Sequence, residues 1–236
     1  MVPVYNESIA LRSFVPELLK TLHGATPWGR WEVIFVDDGS DDDGPAFLAR
    51  HEERERVIAL RHPRRIGSGA ARRTGSARAC GEWVAWIDAD GTYDPQDLEH
   101  LLRHSANSDQ VIGTRDNEQG RWKLLRRAAK TFARSLASAL LRTQIPDLNS
   151  GLRIIRRQCL AGWIEELPDG FSCTSTATLA ALRRRQRVRF VPIGYRSRLP
   201  GSSSKFDPIF DTLRLFKVVL RYGFLARSAE GRSSRI

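Results

Sequence analysis

Two aspartates one residue apart, Asp88 and Asp90, close a short apolar run, Trp83-Val84-Ala85-Trp86-Ile87. Side chains two apart at the end of a strand share a face. Two like charges held that close are costly beside a core unless a hard cation or a set of donors lies between them. An oxygen-only pair of this kind suits Mg2+ or Mn2+, which completes its shell with water and substrate phosphates. The plainer reading is a solvated acidic turn that caps the next helix at Asp94-Pro95. Other polar clusters also follow strand-like runs: Tyr5-Asn6-Glu7 after Val2-Pro3-Val4, Asp37-Asp38 after Trp31–Val36, and Arg115 after Gln110–Gly113.

The elements that must position these residues alternate. Strands are expected near 2–4, 31–36, 57–60, 83–87 and 110–113, with helices near 8–22, 45–54, 70–79 and 95–105. That order predicts an α/β fold, a doubly wound and mostly parallel sheet flanked by helices, in which ligands bind beyond the carboxyl ends of the strands. All four polar clusters fall at those ends. Past residue 115 a helix over 121–142 carries Trp122, Leu125, Ala129, Phe132, Leu136 and Leu140 on one face, and Arg127, Lys130 and Arg134 on another. A strand near Ile154-Ile155, a helix from Phe171 to Arg184 and a proline-bearing edge strand over Val188–Ile193 follow. The cationic segment Arg196–Lys205 leads into a second basic amphipathic helix over 207–227, and a polar tail over 228–236 is expected to lack order.

The net charge of +11 calls for anionic company, either nucleic acid, anionic lipid or phosphorylated substrates. A nucleic-acid module would interleave exposed aromatics with its basic residues, whereas Phe35, Trp83 and Trp86 sit in apolar strand runs, so nucleic acid is not the expected partner. Cys80, Cys159 and Cys173 lack the spacing of a zinc site or a disulfide frame. His100 and His104, four apart, read as a solvated helix face. No apolar run approaches the ~20 residues that span a bilayer, and the opening Met1–Tyr5 has no signal-peptide pattern, so a cytosolic chain is expected. Its first strand is short, as a start assigned late or a truncation would leave it.

Taken together, Pro3-Val4-Tyr5-Asn6-Glu7, Val36-Asp37-Asp38-Gly39-Ser40, Gly67-x-Gly69-Ala70-Ala71, Asp88-Ala89-Asp90, Gly113-Thr114-Arg115 and Asp147-x-x-Ser150-Gly151-x-Arg153 resemble the family 2 glycosyltransferases. Within them the chain is most similar to the dolichol-phosphate mannosyltransferase and polyprenyl-phosphate glycosyltransferase branch, from residue 2 to about 206. The resemblance implies a GT-A domain over 1–206, with a nucleotide-sugar half (1–115) and an acceptor half (116–206). It implies that Pro3, Tyr5, Glu7, Asp37, Asp38, Gly69 and Ala89 hold a nucleotide-diphospho-sugar, with Asp88 and Asp90 at the ribose and a Mg2+ or Mn2+ ion. The family commonly carries Gln at Thr92 and Asn at Arg65. Asp90, Arg115, Arg126, Arg127, Arg198 and Lys205 are the candidates to stabilise the leaving diphosphate. Arg126, Arg127, Ser150, Arg153, Arg198 and Lys205 are candidates to clamp an acceptor phosphate.

Transfer to a hydroxyl needs a general base, and many family 2 relatives place a carboxylate before the helix that starts here near Phe171. This chain reads Gly170-Phe171-Ser172-Cys173-Thr174-Ser175-Thr176, with only Asp169 nearby. A phosphomonoester is already anionic, so the missing carboxylate favours a polyprenyl phosphate acceptor and inversion at the sugar carbon. Transfer to a glycan or small-molecule hydroxyl, with Asp169 or a distant carboxylate as base, is the alternative, and a catalytically dead homologue is a further one. A lipid acceptor implies peripheral association with the inner face of the membrane through the two basic helices, with room for a separate membrane-protein partner.

Overall fold

The computed structural model describes residues 1–24, 29–52, 56–115, 123–198 and 213–222. Its elements run β1 (Val2–Val4), α1 (Ser8–His23), β2 (Val33–Asp37), α2 (Gly44–Glu52), β3 (Val57–Arg61), α3 (Ser68–Arg78), β4 (Trp83–Trp86), α4 (Gln96–Arg103), β5 (Gln110–Arg115), α5 (Lys123–Leu141), β6 (Arg153–Arg156), α6 (Arg157–Ala161), α7 (Cys173–Arg183) and β7 (Val188–Ile193). A further helix, α8, covers 213–222.

β1, β2 and β3 pair in parallel, with β2 in the middle. The other four strands lie in the order β4-β6-β5-β7. Met1 joins the two sets: its ammonium donates to Ala85 O at 2.9 Å, and Ile87 N–H reaches Met1 O at 3.4 Å. β7 pairs in parallel with β5 at the edge, where Pro192 costs no ladder bond. β6 departs from the expected parallel order, because it runs antiparallel between β4 and β5. A four-residue apolar run carries no signal of direction.

Successive residues of β2 face opposite layers, as a strand's period of two requires. Val33 and Phe35 pack with Leu11, Phe14, Val15 and Leu18 of α1 and Leu98 and Leu101 of α4. Ile34 and Val36 pack with Ala71, Ala133, Ala137, Ala177, Ala180, Val219 and Tyr222, from α3, α5, α7 and α8. Tyr222 Oη also donates to Glu166 Oε2 at 2.5 Å, which ties α8 to the rest of that layer.

Two local features differ from what the residue types suggest. Ser8 does not cap α1 with its side chain. It is the first helical residue, and its N–H is taken by Asp42 Oδ2 at 2.8 Å, from a loop 34 residues away. The strand expected to run to the acidic pair stops at Trp86, so Asp88 and Asp90 stand in the loop after β4. Gly91 turns that loop with φ 74, a backbone region that suits glycine.

α3 lies close on the sheet because Gly69, Ala70, Ala71, Gly75 and Ser76 are small and buried. α3 is also held against the segment before α7, most tightly at Gly69, where a Cβ would come within 1.9 Å of Pro168 O. Gly69 N–H donates to Asp169 O at 2.6 Å, and Ala70 N–H to the same oxygen at 3.3 Å. A methyl group there meets main chain, which cannot step aside as a side chain would. Gly69→Ala is expected to destabilise the protein by about 2 kcal/mol or more, read as a lower urea midpoint at unchanged slope. An unchanged midpoint would show that this contact does not constrain the fold.

Candidate active site

A cavity of about 320 Å³ opens at the carboxyl ends of β1, β4 and β5. One wall comes from the end of β1 (Pro3, Tyr5, Glu7), with Asp38 beside it, and the floor from Ser68 and Arg72 of α3. Asp88, Ala89 and Asp90 line it next, together with Arg115, Tyr195 and Arg198. Asn149, the start of α7 and Leu215 of α8 close the far end. Of the residues singled out in the sequence, Pro3, Tyr5, Glu7, Asp38, Asp88, Ala89, Asp90, Arg115 and Arg198 therefore meet on one cavity.

The two carboxylates face that common space, but each already has an arginine. Arg72 Nη2 lies 2.5 Å from Asp88 Oδ1, and Arg198 Nη2 lies 2.8 Å from Asp90 Oδ2. Burial works against the Arg72 charge, yet Asp88 beside it holds its pKa above the ordinary value. Thr92, the position where relatives carry Gln, donates both Oγ1 (2.6 Å) and N–H (3.1 Å) to Asp90 Oδ1. Burial, and then the charge on Asp88, push the Asp90 carboxyl above its usual range in spite of those donors and Arg198. Burial thus disfavours Asp90 as a bare charge. An oxygen-only pair next to open space fits a hard divalent cation. Among the described residues no group of three or more His, Cys, Asp or Glu side chains could hold a metal ion, so Asp88 and Asp90 would share such an ion with oxygens of a ligand.

Arg115 is fixed from behind. Its Nε and Nη2 contact Asp147 Oδ2 and Oδ1 at 2.8 and 3.0 Å, and its guanidinium lies 5.2 Å from the Tyr195 ring centre. Burial disfavours the Asp147 charge, but Arg115 and the Asn149 N–H hold its carboxyl below the usual carboxylate range. Tyr93 Oη accepts the Gly151 N–H at 2.8 Å and pins the same loop to the acidic wall. Arg65 rests over the Tyr5 ring at 4.6 Å, a cation–π contact at the cavity mouth.

Four expected residues do not line the cavity. Asp37 is buried against Arg61 (3.1 Å) and accepts the Ser40 N–H, so it closes the turn after β2. Gly69, expected to hold the nucleotide-sugar, spends its amide on Asp169 O, and its bare Cα serves backbone packing. Arg153 is wholly buried, with Nη1 on Thr178 Oγ1 at 3.1 Å and Nη2 on Ser150 O at 2.5 Å. Ser150 is equally buried, and its hydroxyl donates to Leu152 O. Neither can reach a ligand from the cavity, because their polar atoms are turned into the protein. The side chains of Arg126 and Arg127, and Lys205 altogether, lie outside the described residues.

Asp38 does line the cavity, and it also holds the glycine turn: Oδ1 accepts the Ile66 N–H (3.0 Å), Oδ2 accepts the Gly67 N–H (2.7 Å), and His62 bridges Oδ1 to Thr74. Sequence reasoning missed Arg72. Its signal is a charged residue at 72 on a helix face otherwise made of Ser68, Gly75 and Ser76, the face that must approach the sheet. Also missed were Tyr93, Tyr195 and Asn149, whose roles depend on partners distant in the chain.

The chain matches the family model described as Glycosyl transferase family 2 over residues 1–162. It is 30% identical over 165 residues to an undecaprenyl-phosphate 4-deoxy-4-formamido-L-arabinose transferase of Sodalis glossinidius, covering 68% of this chain and 49% of that protein. A transferase of the same name from Pectobacterium atrosepticum is 28% identical over 197 residues, 82% of this chain and 53% of that one. The chain thus spans about half the length of the curated relatives it matches. Among solved structures, glucosyl-3-phosphoglycerate synthase from Mycobacterium tuberculosis in complex with Mn2+, UDP-glucose and phosphoglyceric acid superposes with a TM-score of 0.71 at 19% identity, over 94% of this chain and 78% of that one. The likeness in structure supports the GT-A fold, and with the family match covering more than half of its length, the chain belongs to glycosyl transferase family 2.

Proposed function

We propose that this chain transfers a sugar from a nucleotide-diphospho-sugar to a polyprenyl phosphate, with inversion at the sugar carbon. The observation that carries this reading is the uneven placement of carboxylates around the cavity. Glu7, Asp38, Asp88 and Asp90 all lie on the side of β1, β2 and β4, whereas the start of α7 offers only Ser172, Thr174 and Ser175. Asp169, the expected base for a hydroxyl acceptor, does not line the cavity. Its side chain is 55% exposed and pairs with Arg73. The names of the undecaprenyl-phosphate relatives point the same way.

On this reading the nucleoside diphosphate lies along Asp88 and Asp90, which would hold a Mg2+ or Mn2+ ion between them and the phosphates. That ion supplies charge neutralisation at the leaving diphosphate. Arg115, kept in one orientation by Asp147, presents positive charge to the same group, and Arg198, beside Asp90, is placed to do so as well. An oxygen of the acceptor phosphate attacks the anomeric carbon from the face away from the diphosphate. The new carbon–oxygen bond forms as the old one breaks, and the electron pair leaves on the nucleoside diphosphate. No side chain has to accept a proton, because the acceptor arrives ionised.

No helix among the described residues is long and apolar enough to cross a membrane. Phe132 of α5 and Leu213 and Leu220 of α8 are 61%, 60% and 41% exposed, and Arg214, Lys217 and Arg221 stand exposed beside them on α8. An apolar face bordered by cations suits the interface of an anionic leaflet, so the reading includes peripheral association with the inner face of the membrane.

The test incubates the protein with Mn2+, a panel of radiolabelled nucleotide sugars and a short polyprenyl phosphate, followed by organic extraction. Label is expected in the organic phase for one sugar. Label passing only to water or to a soluble glycan would overturn the lipid-phosphate reading.

Asp90→Asn should lower transfer at least a hundredfold and yet stabilise the protein at pH 7, read as a higher melting temperature. The sign follows from the elevated Asp90 carboxyl. As pH rises the unfolded chain gives up this proton before the folded one does, so ionisation of Asp90 works against folding above the usual carboxylate range. Below that range both states keep the proton, and the advantage of the variant should vanish. Added Mn2+ is expected to raise the melting temperature of the wild type and leave the variant unmoved. A variant that melts lower at pH 7 and still responds to Mn2+ would remove the charge-and-metal role of Asp90.

A further inference from the structure

Asp90, the carboxylate assigned to a cation, already holds one. It is 6% exposed, and its Oδ1 takes both the N–H and the hydroxyl of Thr92, at 3.1 and 2.6 Å. Its Oδ2 is contacted by Arg198 Nη2 at 2.8 Å. An ionised carboxylate oxygen has two lone-pair sites, so Thr92 fills one oxygen and Arg198 stands at the other. A divalent ion brought to Oδ2 would share that oxygen with a guanidinium, and two positive groups a few ångströms apart repel. Tight binding of the ion therefore requires Arg198 to give way. The chain before Arg198 lets it do so without opening the site. Arg196 N–H donates to Thr92 O at 2.8 Å, its guanidinium pairs with Glu17 at 3.3 Å and with Asp94, and the Tyr195 ring rests edge-on to Tyr93 at 5.3 Å. Those contacts fasten residues 195 and 196 to the loop that carries Asp90. The Arg198 side chain lines the cavity and is 32% exposed, so it can leave Asp90 by rotation about its own bonds while the segment stays in place. Arg72, at 3% exposed, stays with Asp88.

We propose that, before the donor binds, Arg198 holds the place of the divalent cation on Asp90, and that donor binding hands Arg198 over to the diphosphate as the ion takes the carboxylate. The inference rests on the nucleotide-sugar reading above and adds how the metal and the nucleotide are made to bind together. Asp90 is never left bare in the exchange, and Arg198 leaves one anion only for another. The diphosphate supplies the anion that draws Arg198 away, so the ion binds poorly alone and well in company with the nucleotide. By linkage, the ion then favours the nucleotide to the same degree.

Calorimetric titration of Mn2+ into the full chain without nucleotide reads the first half of the exchange. Arg198→Gln and Arg198→Met should each bind Mn2+ at least fivefold more tightly than the wild type. Arg103→Gln, which removes the same charge from α4 where it pairs with Glu99, should stay within twofold. Titration of UDP and, separately, of GDP in saturating Mn2+ reads the second half. Whichever diphosphate binds the wild type should bind both Arg198 variants at least fivefold more weakly. Opposite signs from one substitution separate a hand-over from a loosened fold, which would weaken both ligands. Mn2+ affinity that is unchanged or lowered in the Arg198 variants, or raised as much by Arg103→Gln, would overturn the hand-over, as would an unchanged diphosphate affinity. In those cases the transferase reading stands, because the wild type still binds a diphosphate with Mn2+. A wild type that binds neither UDP nor GDP with Mn2+ would sink the nucleotide-sugar reading and the hand-over with it.

Discussion

Holding two like-charged carboxylates at the edge of a core is the constraint on which the arrangement of this site depends. Unit charges a few ångströms apart repel strongly once water is removed, and the protein answers the two halves of the problem unequally. Asp88 has a permanent partner: Arg72 is buried, lies 5.6 Å from the Trp86 ring centre, and cannot leave without exposing its own charge. Asp90 has a replaceable one. Arg198 is 32% exposed at its side chain, and an ion pair open to water is worth little. One carboxylate is therefore paired inside the fold, while the other, itself buried, shares a partly exposed arginine at the cavity.

The same economy explains two buried arginines around one tryptophan. Arg72 and Arg153 each lie within 6 Å of the Trp86 ring centre, at 5.6 and 5.7 Å. A planar guanidinium can stack in this way while its N–H fork still reaches partners in the ring plane, which a lysine ammonium cannot do. Burial, then repulsion from Arg72, lowers the Arg153 pKa to about 10. Its role is structural: by gripping Ser150 O and Thr178 Oγ1 it fastens the loop before β6 to α7. That loop also carries Asp147, which holds Arg115, and Gly151, which meets Tyr93. The positions of Arg115, Asn149 and the α7 turn are thus set together by one buried cation that never touches the cavity.

Much of the fold was legible because each early strand is a compact apolar run that ends in a polar cluster, and such runs declare both the strand and the rim. The amphipathic periodicity of α1 and the small residues of α3 were equally plain. The antiparallel course of β6 was not, since Arg153–Arg156 reads the same in either direction. Site residues were legible where a short chemical pattern sits at a strand end, as with Tyr5, Asp88, Asp90 and Arg115. They were illegible where the role depends on burial. Arg153 and Arg72 are both buried arginines near conspicuous motifs, and only their placement in the fold separates the one that lines the cavity from the one that does not.

One contact bears on two residues that the sequence singled out. Gly69 was expected to hold the nucleotide-sugar, and Asp169 was the base of the alternative hydroxyl-acceptor reading. In the structure the turn and the aspartate are used on each other. Gly69 and Ala70 donate to the main-chain oxygen of Asp169, and the bare Cα of Gly69 admits the carbonyl of Pro168. With its backbone drawn onto α3, Asp169 directs its carboxylate outward to Arg73. The close fit of α3 against the 168–169 segment therefore keeps both Gly69 and Asp169 off the cavity lining, and what faces the cavity at that end is the hydroxyl-bearing turn of α7.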